Sequence, residues 1–113
     1  MPGLLVASLA VNIGVLLPVV AGLLLDAAWA KEAFGPRAPG RQILLAIYLS
    51  ILTLSSVLFV WRDAKVAAGL LLAQCLYKVL TPLTVGTLRH PVVLSNLAIA
   101  ALHAVTLSTL LAA

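Results

Sequence analysis

Apolar residues run together along this chain in four long blocks, with little of the regular polar interruption that a water-facing helix or strand requires. A hydrocarbon core about 30 Å thick takes roughly 20 residues of helix to cross, and residues 4–25, 42–61, 66–88 and 92–113 each meet that length. The pattern predicts an all-α fold, an integral membrane four-helix antiparallel bundle, with residues 1–113 forming a single transmembrane domain.

The connections carry the punctuation. Residues 26–41, DAAWAKEAFGPRAPGR, combine five charges with two prolines and two glycines. Trp29 and Phe34 suit a short amphipathic piece at the membrane interface. Pro36 and Pro39 then break any helix before the second span. Arg62-Asp63-Ala64-Lys65 reads as a tight polar turn beside the interfacial Trp61. Arg89-His90-Pro91 is tighter still, with Pro91 suited to the first turn of the last helix. Turns this short predict antiparallel neighbours for the second, third and fourth spans. Pro82 lies inside the third block, where a kink within a continuous helix is expected in preference to a re-entrant segment. The first block reads as a span, not a cleaved signal. Ala28-Trp29-Ala30 has the small-x-small form of a cleavage site, yet no basic residue precedes the apolar run, which exceeds a signal core of about 7–15 residues.

Composition sharpens the membrane reading. Of 113 residues, 64% are hydrophobic and 9% charged, against about 45–50% and 25% in soluble domains. Ten charged side chains cannot cover a soluble bundle. The net charge of +4 does not signal nucleic acid, because the basic residues are scattered and lack an aromatic platform; none is expected as a partner. Sparse Lys and Arg beside apolar runs set orientation instead. Lys31, Arg37, Arg41 and Arg89 fall on one side, and Arg62 and Lys65 on the other. That predicts both termini outside the cytoplasm, in a bacterial inner membrane. Cys75, within an apolar run, reads as a small buried hydrophobe.

Helix association in lipid relies on close packing and interhelical hydrogen bonds. Ala10, Gly14, Pro18 and Gly22 recur every fourth residue; Gly69 with Ala73, and Ala100 with Ala104 and Ser108, repeat the pattern. Packing within the bundle is the expected use of these ridges, with homodimerisation the alternative. Ser50, Thr53 and Ser56 share a face of the second span, but such hydroxyls can bond to carbonyls of their own preceding turn.

Candidate chemistry centres on Lys78, the thirteenth residue of a 23-residue block. A charged lysine near mid-membrane costs about 2.5–3.5 kcal/mol on insertion scales, and such residues mark function by default. All three acids, Asp26, Glu32 and Asp63, lie in connections. Ten helical residues from Lys78 to Leu88 span roughly 15 Å, beyond the reach of a side chain about 6 Å long. Four arrangements would accommodate the amine: loss of its proton, solvation by neutral polar groups, an anionic ligand or lipid headgroup, or an acid on another subunit.

Neutral polar groups are at hand. Gln74, Lys78 and Thr81 share one helical face. Pro82 lacks an N–H and so frees the Lys78 carbonyl. Asn12 lies at comparable depth on the first span, with Ser8 on its face, and Asn96, His103 and Thr106 share a face of the fourth. Convergence would give a ligand-binding pocket of Asn12, Gln74, Lys78, Thr81, Asn96 and His103; otherwise these groups act as interhelical glue. His103 also suits axial ligation of a haem or pigment. A b-type haem wants two histidines, however, and His90 lies at the far end of the same helix. A packing histidine is expected, and no cofactor.

Catalytic signatures are missing: no zinc spacing, no phosphate loop and no Ser-His-Asp arrangement. The membrane-embedded acid on which a proton-coupled multidrug exporter relies is also lacking. The reading is a non-enzymatic protein acting through helix–helix contacts, an accessory or assembly subunit of a larger membrane complex. Its partners would be the lipid bilayer and other membrane subunits or further copies of itself. The alternative is a binder or carrier of a small anionic or amphipathic ligand, such as a lipid or quinone, around Lys78 and His103. A membrane enzyme using Lys78 as base or nucleophile has only the buried amine to support it.

Overall fold

A computed structural model describes residues 2–112 and shows five helices with no strand among them: α1 (Pro2–Leu25), α2 (Ala28–Phe34), α3 (Pro39–Val60), α4 (Ala64–Val85) and α5 (Pro91–Ala112). Four of these, α1, α3, α4 and α5, are long and apolar enough to cross a membrane. The chain is all-α and an integral, multi-pass membrane protein. At 1.5 Å per residue a helix of 22 residues extends about 33 Å, which matches the hydrocarbon thickness.

Helix ends follow local chemistry, and several differ from the sequence reading. Pro39 and Pro91 each open a helix, where the missing N–H is no loss and the fixed φ is already helical. That starts the second span three residues before Gln42 and draws Arg41 into its first turn. Asp63 caps α4, accepting from the backbone N–H groups of Lys65 and Val66 at 3.0 Å each. α4 ends at Val85, not Leu88, because Gly86 turns left-handed (φ 88°) and donates its N–H to the Pro82 carbonyl. His90 Nδ1 accepts from the Val92 N–H at 3.1 Å and so caps α5. The expected fourth span ran to Ala113, which lies outside the described residues.

The chain groups into two compact units, Met1–Ser8 with Trp61–Ala113, and Leu9–Val60. In the first, α4 and α5 pack side by side and antiparallel, as the pairings Lys78–Asn96 and Cys75–Ala100 require. The start of α1 joins them: Ser8 and Thr106 share a hydroxyl–hydroxyl bond of 2.7 Å, and the Leu4 carbonyl lies 3.2 Å from Thr106 Oγ1. In the second unit, Asn12 meets Ser55 and Leu23 meets Arg41, so α1 and α3 are also antiparallel.

The expected interfacial piece is α2. Its Trp29 packs on Gly22, where a Cβ would collide with the indole ring. Phe34 meets Tyr48 edge to face at 6.0 Å. The turn from α1 into α2 puts Asp26 in a left-handed conformation (φ 53°), with the Ala27 N–H bonded to the Gly22 carbonyl at 2.9 Å. This is a Schellman-type ending with aspartate where glycine is usual.

The small-residue ridges are buried within the chain only in part, at Gly22 and Ala100, and not along their length as expected. Ala10, Gly14 and Pro18 are exposed, as are Gly69, Ala73, Ala104 and Ser108; of these ridges only Gly22 and Ala100 are buried. The inward stripe of α1 is instead Leu5, Leu9, Leu16, Val20 and Leu23, carrying Ser8 and Asn12 with it. Larger side chains fill these contacts, leaving the smooth faces outward.

Candidate functional site

The α4–α5 hairpin positions the lysine. Ala67, Leu70, Leu71, Gln74 and Lys78 recur at helical spacing along the buried face of α4, and Val93, Asn96, Ile99, Ala100, His103 and Thr106 along that of α5. Lys78 therefore points inward, with only 5% of its surface exposed.

Of the four arrangements open to the amine, the geometry displays solvation by a neutral polar group. Lys78 Nζ donates to Asn96 Oδ1 at 3.1 Å. It also lies 4.9 Å from the centroid of the Tyr77 ring, within the range in which a cation is drawn to an aromatic face. Lys78 has no ion pair among the described residues; Asp26 takes both Lys31 and Arg41.

The carbonyl that Pro82 deprives of its helical donor is not left free. Thr81 Oγ1 donates to Lys78 O at 2.6 Å. The lysine is thus held at side chain and backbone by polar groups three residues and one hairpin away. Cys75 Sγ donates to the Ala100 carbonyl at 3.6 Å, a weak contact that adds to the register.

The remaining predicted residues divide between the two units. Gln74 and His103 are buried in the hairpin unit with Lys78 and Asn96, His103 fully so; Thr81 is half-buried. Asn12 is buried in the other unit, where its Nδ2 donates to Ser55 Oγ at 3.0 Å.

Ser55 escaped the sequence reading, which weighed Ser50, Thr53 and Ser56. Those three are exposed and donate to the carbonyls of Ala46, Leu49 and Leu52 at 2.8–2.9 Å. Ser55 could have been found from its register with Leu45, Tyr48, Ile51 and Leu58, the buried stripe of α3.

Arg41 was also missed as a structural residue. It is buried, its Nη1 lies 2.8 Å from Asp26 Oδ1, and it donates to the carbonyls of Gly35 at 2.9 Å and Leu23 at 3.0 Å. Arg37 donates to the Leu24 carbonyl at 3.1 Å. Two arginines thereby satisfy last-turn carbonyls of α1, which have no intrahelical donor. Burial raises the Asp26 carboxyl, but hydrogen bonds and charge from Arg41 and Lys31 outweigh this and hold it below its ordinary 3.8.

Comparison with family models, curated proteins and solved structures finds no match to this chain.

Proposed function

We propose that this is a small non-enzymatic membrane protein that acts through helix–helix contacts, as an accessory or assembly subunit of a larger membrane complex in a bacterial inner membrane. The observation that carries the reading is the outward orientation of the small-residue faces. A Cβ at Gly14 or Gly69 would have no atom within 4 Å, and Ala10, Pro18 and Ala73 are exposed beside them. Faces of this kind let a second helix approach closely in lipid. The buried lysine is bonded to Asn96 across its own hairpin, so the small-residue faces and not the lysine carry this reading.

Copurification from mild detergent tests the proposal. The native protein is expected to bring a membrane partner or a second copy with it, and Gly14→Ile to lose that association. A monodisperse single chain, indifferent to Gly14→Ile, would overturn it. The charge bias supports an orientation with residues 26–38 and 86–90 in the cytoplasm and both termini outside. Thiol labelling of Ala64→Cys from outside intact cells is the expected result; labelling only after lysis reverses the orientation.

A second reading has one observation in its favour. Of the three N–H donors of a lysine ammonium, Asn96 occupies one, so Lys78 retains capacity for an anionic or amphipathic ligand such as a lipid or quinone, with His103, Gln74 and Thr81 as further candidate contacts. Mass spectrometry of solvent extracts should then release a small molecule that Lys78→Leu fails to retain. An extract free of any such molecule eliminates this reading.

A further inference from the structure

The geometry points to a binding site for one anionic phospholipid at the C-terminal end of α1, with Arg37 holding the headgroup phosphate and Leu24, Leu25 and Trp29 lining the first part of the acyl chain. The argument begins with the charges of the connection after α1. Lys31 lies 3.5 Å and Arg41 2.8 Å from Asp26, so one carboxylate engages both. Glu32 is exposed and makes no ion pair among the described residues. Arg37 makes no ion pair among the described residues. Its single side-chain hydrogen bond, from Nη2 to the Leu24 carbonyl, fixes the guanidinium at the end of the spanning helix. That leaves the rest of a planar five-donor fork free, the shape that grips a phosphate through two oxygens.

Exposed apolar side chains at the same end of α1, and on α2 after it, suit the other half of a lipid. Leu24 is more than half exposed, Leu25 is 80% exposed, and Trp29 is 46% exposed on α2. Side chains this apolar, at the last turn of a helix that crosses the bilayer, face acyl chains near the headgroups. An indole in that position is a usual interfacial anchor. A phospholipid joins an anionic phosphate to an apolar tail, and the end of α1 offers a guanidinium bonded to the Leu24 carbonyl together with exposed Leu24 and Leu25, followed by exposed Trp29 on α2. The negative headgroup of an anionic lipid complements the Arg37 guanidinium, where a zwitterionic headgroup offsets its own phosphate.

Native mass spectrometry of the full chain, released from phosphatidylcholine nanodiscs containing a minor fraction of phosphatidylglycerol, tests the site. The native protein should retain one phosphatidylglycerol in preference to phosphatidylcholine. Arg37→Gln should weaken that retention roughly fivefold, the order expected for one basic residue at an anionic surface. Arg37→Lys, which keeps the charge but loses the fork, should fall between. Arg89→Gln, removing an exposed arginine from the connection before α5, should leave retention unchanged. Absence of preference in the native protein overturns the proposal. So does equal loss in Arg37→Gln and Arg89→Gln, since a diffuse charge attraction would then explain the binding. Helix content by circular dichroism confirms that the compared variants remain folded.

Discussion

Lys78 and Asn96 lie eighteen residues apart in sequence and 3.1 Å apart in space, joined across the α4–α5 hairpin. An ammonium carried into the spanning region therefore meets an amide oxygen of the next helix. Removing the acceptor leaves the donor buried, whereas removing both leaves ordinary apolar packing. Asn96→Leu is expected to destabilise the protein by about 2 kcal/mol, and Lys78→Leu/Asn96→Leu to recover most of that loss. Denaturant titration in detergent micelles, arranged as a double-mutant cycle, measures the coupling. Additive effects would show that the bond contributes nothing.

The Thr81 hydroxyl replaces a donor that Pro82 removes. Thr81→Val should cost about 0.6 kcal/mol, the usual scale for hydrogen bonds in a membrane protein. The same substitution made together with Pro82→Ala should be nearly neutral relative to Pro82→Ala alone, because the restored N–H can serve the Lys78 carbonyl. Unfolding midpoints of the four proteins decide the matter; an equal cost in both backgrounds would contradict the assignment.

Asp26 predicts an acid limb. Its folded value lies below 3.8, so its ionised form stabilises the fold fully above that value, and this contribution is lost as pH falls through the folded value. Thermal unfolding followed from pH 6 down to 3 should show a decline below about pH 4 that Asp26→Asn removes. Asp26→Gly separates the two roles of the residue: it relieves the left-handed backbone (φ 53°) and still forfeits Arg41.

Gly22 admits the indole of Trp29 against the backbone of α1. Gly22→Ala should displace the ring and cost about 1–3 kcal/mol, the range for overpacking. With Trp61→Phe as background, Trp29 emission reports the movement directly, and Trp29→Ala should relieve the strain. An unchanged spectrum and midpoint would show that the contact is not tight.

Span number and helical class were legible because crossing hydrocarbon imposes a length that no other feature of this chain would require. Which face of each helix turns inward was much harder to read. Lipid and core are both apolar, so leucines such as Leu17 and Leu16 look alike in sequence although one is exposed and the other buried. The Ala10–Gly14–Pro18 ridge was accordingly assigned inward and lies outward. Ser55 was overlooked because the more numerous hydroxyls of α3 sit on the exposed face and bond to their own helix. Arg41 was counted as a loop charge because the effect of Pro39, which begins the helix two residues earlier, was read as a break. The inward faces of α4 and α5 were better marked, since the polar residues Gln74, Lys78, Asn96 and His103 are too costly to turn toward lipid.

The Lys78–Asn96 bond also bears on how the chain is delivered to the bilayer during synthesis. A lone α4 would present a bare amine to hydrocarbon, and the ribosome would have to complete the Gly86 bend and the first turns of α5, as far as Asn96, before an acceptor arrived. Entry of the two helices together, as a preformed hairpin leaving the translocon sideways, avoids that exposed intermediate. Paired entry would let the bond form as the hairpin meets the lipid.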